Sequence, residues 1–201
     1  MKQLFITALT SVILFSSCKK DDTPEYNTNV KAPLSIEFDN VAGSSDLELD
    51  GGYKTANGDS IYITKLKYYV SNFKLTRTDG TVYTVPQEDS YFLVDESDEA
   101  THEAELEIPE GEYKTLTFTL GVDSLRSTMD ISQRTGVLDP AGAGADMYWT
   151  WNSGYIFFKL EGTSPQSMMG DVMYHIGGFG GYSSSTINNI KTITLDLSTR
   201  G

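Results

Sequence analysis

The chain has 201 residues, with 15 Lys plus Arg against 28 Asp plus Glu and a formal net charge of −13. That balance excludes a nucleic-acid binder, which needs basic side chains for phosphates, and a basic face that docks on anionic lipid. The single cysteine excludes an internal disulfide and a multi-cysteine metal site, so stability has to come from packing.

Met1-Lys2 opens the chain, an apolar run extends from Leu4 to Phe15, and Ser16-Ser17-Cys18 follow. A basic start, a short apolar core and small residues form a secretory signal, too short to cross a bilayer as a stable helix. The segment resembles a bacterial lipoprotein signal, cut after residue 17 with lipid placed on the Cys18 thiol, although Phe15 stands where an aliphatic residue is typical. Lys19-Lys20-Asp21-Asp22 resembles the lysine-then-acid tag of surface lipoproteins in Bacteroidetes-type bacteria. These features predict attachment to the outer membrane through lipid on Cys18, with exposure at the cell surface. Loss of residues 1–17 removes Lys2 and makes the chain one unit more negative. Residues 18–32 read as a lipidated flexible tether, polar and interrupted by Pro24. Residues 33–201 then form one domain of roughly 170 residues, enough to bury about 70% of its unfolded surface.

The domain reads as β throughout. Leu34, Ile36 and Phe38 alternate with polar neighbours, as do Ile61 and Ile63. A long strand over 60–78 ends at Asp79-Gly80, a hairpin signal into 81–85. Tyr91–Asp95 is a short apolar run, and Leu106 and Ile108 end a strand before the turn Pro109-Glu110-Gly111-Glu112. Leu116, Phe118 and Leu120 share one face of the next strand. Only 123–134 reads as helical. Val172, Tyr174 and Ile176 then line one face of a strand whose other face carries Met173 and His175, and Ile193, Leu195 and Leu197 close the pattern. Strands at this spacing predict an all-β fold, an antiparallel β-sandwich with one short helix.

The chemistry-bearing residues concentrate late in the chain. Both tryptophans, Trp149 and Trp151, lie there, two residues apart, so a strand would put them on one face with Met147. His175, one of two histidines, shares a face with Met173. Imidazole and thioether together suit Cu(I). The same aromatic residues, with Tyr148 and Tyr155, also suit stacking on a glycan or plain core packing, and composition leaves these alternatives open. Eight acids between Asp95 and Glu110 lack the spacing of a calcium loop and read as a solvated strand and loop, with His102 among them. There is no G-x-S-x-G elbow and no H-E-x-x-H, and Gly177-Gly178-Phe179-Gly180-Gly181 lacks the strand-to-helix context of a phosphate cradle.

Six segments carry a resemblance: Leu66-Lys67-Tyr68-Tyr69-Val70-Ser71-Asn72, Tyr91-Phe92-Leu93-Val94-Asp95, Gly121-Val122-Asp123, Leu138-Asp139-Pro140, Met147 to Tyr155, and Tyr174-His175-Ile176-Gly177. In this order they resemble the MbnP-like family, methanobactin-associated copper-binding proteins of the periplasm and cell surface. The resemblance implies a β-rich fold and a non-enzymatic accessory. It also implies a copper site built on His175, with Trp149 or Trp151 near the metal and one of them open to oxidation to kynurenine. Family sites use more than one histidine, and His102, far along the chain from the motif, is the one left here; Met173 joins the candidate ligands through the strand face it shares with His175. A di-haem peroxidase-like protein is the partner it implies, and an outer-membrane transporter is the partner of the alternative function. The chain departs from the family in lacking its four-cysteine pattern, in carrying Asn152 where glutamine is common, and in offering few histidines. A non-enzymatic surface module for glycan or protein is the alternative function.

Overall fold

The structure is a computed structural model that describes residues 27–151 and 154–198. Cys18, the predicted signal and most of the predicted tether lie outside the described residues. In chain order the strands are β1 (Lys31–Glu37), β2 (Val41–Ala42), β3 (Ser45–Asp46), β4 (Gly52–Lys54), β5 (Ser60–Arg77), β6 (Val82–Thr84) and β7 (Tyr91–Asp95). They continue as β8 (Glu103–Pro109), β9 (Tyr113–Leu120), β10 (Tyr148–Trp149), β11 (Gly154–Thr163), β12 (Asp171–Gly177) and β13 (Lys191–Asp196). The one α-helix among the described residues, α1, spans Ser124–Thr128. The all-β antiparallel architecture expected from the alternation is the architecture observed. The helix is shorter than 123–134 because Met129 turns extended and a 3-10 turn, Ile131–Gln133, takes over.

β5 is the spine of the main sheet. One edge pairs antiparallel with β11 and then β9, and the other with β4, β7 and β6. β12 and β10 extend the sheet from β11, and β13 extends it from β9. The hairpin predicted at Asp79-Gly80 is present: Gly80 takes a φ of +91°, and Asp79 Oδ1 accepts the Thr81 N–H at 2.7 Å. Midway along β5 the register slips between Ser71 and Lys74, where Asn72 adopts a φ of +55°. Asparagine tolerates this left-handed backbone, and here its amide donates to Asp123 Oδ2 at 2.7 Å. Asp123 also accepts from the Tyr91 hydroxyl and, as the N-cap of α1, from the Arg126 N–H at 3.1 Å. The Tyr91, Ser71-Asn72 and Gly121-Val122-Asp123 segments thus meet at one carboxylate.

Each face of the sheet is covered. Even-numbered residues of the first half of β5, such as Leu66, Tyr68 and Val70, point into a core with Val94, Leu106 and Phe118, under the small β1–β8 sheet. Phe73 is fully buried there between Phe92 and Phe118. Side chains of this kind contribute about 1.5–3 kcal/mol each on burial. β8 alternates cleanly, with Ala104, Leu106 and Ile108 buried and Glu103, Glu105 and Glu107 in solvent, which accounts for much of the acidic run. The opposite face holds Tyr69, Tyr155 and Phe157 and is closed by the excursion 123–147, which inserts Leu138 and Met147. Hydroxyls of Tyr69 and Tyr155 donate to the carbonyls of Val137 and Leu138 at 2.8 and 2.7 Å. Arg134 ties the excursion to itself through the Ser127 and Met129 carbonyls and the Tyr148 hydroxyl.

Candidate functional site

β11 is an apolar strand with two charges, Lys159 and Glu161, on the face that carries Tyr155 and Phe157. The register sets Lys159 between Lys67 and His175, and Glu161 between Lys65 and Met173. The excursion adds Asp146, whose carboxylate lies 2.7 Å from Lys159 Nζ, 3.2 Å from Lys65 Nζ and 3.6 Å from Lys67 Nζ. Lys159 Nζ also donates to the Asp146 carbonyl, and Lys67 pairs with Asp95 at 2.8 Å. Burial opposes ionisation of Asp146, but Lys159 and Lys65 outweigh it and hold the carboxyl at about 2. Burial likewise raises Glu161, yet its hydrogen bond to His175 and the nearby Lys65 and Lys159 bring it below the usual carboxylate range.

His175 closes this array at the sheet edge. Its Nε2 lies 2.8 Å from Glu161 Oε1. An ionised carboxylate only accepts, so Nε2 carries a proton, and in the neutral imidazole that leaves Nδ1 as the nitrogen with the lone pair. Nδ1 makes no hydrogen bond among the described residues. A carboxylate that fixes the imidazole tautomer and ring orientation is the usual outer support of a ligating histidine.

Beyond His175 opens a cleft of about 630 Å³, walled by Trp149 and Trp151 on one side and by the 178–189 loop on the other. The indole centroids are 5.8 Å apart at 46°. Trp149 lies against Gly177, where a Cβ would sit 2.6 Å from the indole and 2.3 Å from the Tyr155 carbonyl oxygen. Only glycine permits that approach. The loop is braced by a Phe179–Asn188 bridge, by Asn189 N–H to the Gly178 carbonyl at 2.8 Å, and by the Asn189 amide to the Gly177 carbonyl at 2.7 Å. Phe179 and Tyr182 pack edge to face at 4.9 Å.

Trp149, Trp151 and His175 therefore line one cleft, and Met173 stands two residues before His175 on the same face of the edge strand β12, largely exposed. The expected single strand through Met147, Trp149 and Trp151 does not form. Met147 ends a 3-10 turn and is fully buried, while Trp151 lies in the turn after β10 and is 79% exposed. Tyr155 is core, and Tyr148 packs on it and takes the Arg134 hydrogen bond, so neither is a free stacking surface. His102 is not brought to this cleft. It sits near Glu96, 3.8 Å from Nε2 to Oε2, on the β1–β8 side of the sheet. It precedes β8, in the small sheet, whereas His175 is on β12 at the edge of the main sheet, beyond β5 and β11.

Sequence reasoning missed Glu161, Asp146 and Asn189. A signal for Glu161 existed: two charges two residues apart inside an otherwise apolar strand need partners. Asp146 and Asn189 come from loops whose return path has no periodicity to read.

The sequence matches the MbnP family model over residues 31–201. No curated protein matches the chain. Among solved structures, the fold is similar to MbnP from Methylosinus trichosporium at a TM-score of 0.63 and 18% identity, over 83% of this chain and 72% of that one. Sandwich, excursion and late tryptophan–histidine segment all fall within the matched span, and the chain belongs to the MbnP family.

Proposed function

We propose that the chain is a copper(I)-binding accessory protein, attached to the outer membrane by lipid on Cys18, and not an enzyme. The observation that carries the reading is the Glu161–His175 hydrogen bond, which orients the imidazole and leaves Nδ1 for a ligand beside the tryptophan cleft. The donor set narrows the metal. Among the described residues no three of His, Cys, Asp and Glu are grouped to hold an ion, and Glu161 and Asp146 are engaged by lysines. The described residues therefore offer no zinc-like donor set. His175 and the thioether of Met173 fit a low-coordinate Cu(I), a soft ion that takes such ligands. Trp149 and Trp151 would shield it on one side, and His102 has no part. A di-haem peroxidase-like protein is the partner this reading implies.

Competitive Cu(I) titration with a chromophoric chelator tests the assignment. Wild type should bind one Cu(I), His175→Ala should lose tight binding, Met173→Leu should weaken it, and His102→Ala should match wild type. Equal Cu(I) affinity in wild type and His175→Ala ends the assignment.

A further inference from the structure

We propose that the Trp149–Trp151 cleft is a binding site for a neutral pyranose sugar, one or two units of an uncharged glycan. Three observations converge on that ligand class. First, Trp151 is 79% exposed, with Trp149 tilted against it at 5.8 Å. An indole face held in solvent is a stacking platform, and the C–H face of a pyranose covers such a platform well. Second, the facing loop presents Ser183, Ser184 and Thr186, whose hydroxyls make no hydrogen bond among the described residues. Asn189 adds an amide already fixed by the Gly177 carbonyl. Hydroxyls and amides around an aromatic platform match the hydroxyl rim of a sugar, whereas a purely apolar ligand would leave them unpaired. Third, among the described residues no Asp, Glu, Lys or Arg lines the cleft, although such residues make up 21% of the chain. A charged ligand would find no counter-charge there, which selects a neutral one. The volume of about 630 Å³ suits a small ligand or one end of a longer one.

The cleft is shared with the copper reading, but its sugar contacts are distinct. The platform and rim are not metal ligands in the reading above, and His175 only closes one end. Affinity electrophoresis and calorimetry of metal-free protein against cellohexaose, maltohexaose, xylohexaose, mannohexaose and chitohexaose test it, with polygalacturonate as the anionic comparison. At least one neutral oligosaccharide should bind with a shift in tryptophan emission. Trp151→Ala should bind it about tenfold more weakly with an unchanged melting temperature, and Trp151→Phe should fall between. Met173→Leu, outside the cleft lining, should keep sugar affinity within about twofold while weakening copper, so the two readings fail separately. The proposal is overturned if none of the neutral sugars binds, if Trp151→Ala binds as wild type does, or if only polygalacturonate binds.

Discussion

Asp146→Asn removes the one carboxylate that three lysines of the sheet share. Lys159 is the decisive partner: its side chain is only 6% exposed, and its ammonium is 2.7 Å from Asp146 Oδ1. Its other acid, Glu161, is 3.8 Å away. Stranding a fully buried charge costs about 3–5 kcal/mol, and an exposed pair is worth about 0.2–1 kcal/mol. The Asp146 carboxylate is 43% exposed, so water screens it and the expected cost lies between, at about 1–2 kcal/mol. The pH dependence has a definite sign. Folding depresses the Asp146 carboxyl from 3.8 to about 2. Its contribution is therefore complete above about pH 4 and fades as pH falls through 2. Urea denaturation of a soluble chain beginning at Lys19, followed at pH 7, 5 and 3, checks this. The gap between wild type and Asp146→Asn should be full at pH 7 and 5 and narrower at pH 3. Adding Lys159→Met should recover most of the loss, because removing both members of a pair is far less costly than removing one. A gap that is constant with pH, or a double variant no better than the single, refutes the reasoning.

Gly177→Ala should destabilise the domain by about 1–3 kcal/mol and shift tryptophan emission, since the new methyl meets the Tyr155 carbonyl and the Trp149 ring; an unchanged melting curve would show that the contact is not tight. Asp123→Ala should cost about 2 kcal/mol by unpairing Asn72, Tyr91 and the first turn of α1, with Asp123→Asn costing less, as measured by thermal unfolding. Cys18→Ser in the full chain should release the protein from the membrane fraction, because the proposed lipid on that thiol is its anchor; retention in membranes with unchanged mass would contradict the anchor.

Strand identity was legible in the chain because a half-buried strand must alternate. Leu34-Ser35-Ile36 and Ala104-Glu105-Leu106 state their own buried faces, and Asp79-Gly80 states its turn. The resemblance segments were legible as words without their reason. Asn72, Tyr91 and Asp123 are far apart in sequence, and only the pairing of β5 with β7 and β9 brings them to one carboxylate. The same limit applies at the cleft. Period-two reasoning put Met173 with His175, which a strand enforces, but it also put Met147 with both tryptophans, where the chain instead turns. The partner of His175 is decided by which residue of β11 lies across from β12, and register is a tertiary property. The sequence alone therefore determined which residues are apolar, charged or aromatic on each strand. The tertiary structure decided which of them meet: Glu161 with His175, Asp146 with three lysines, and a glycine loop with two indoles, because those contacts depend on how non-local strands pair and where loops return.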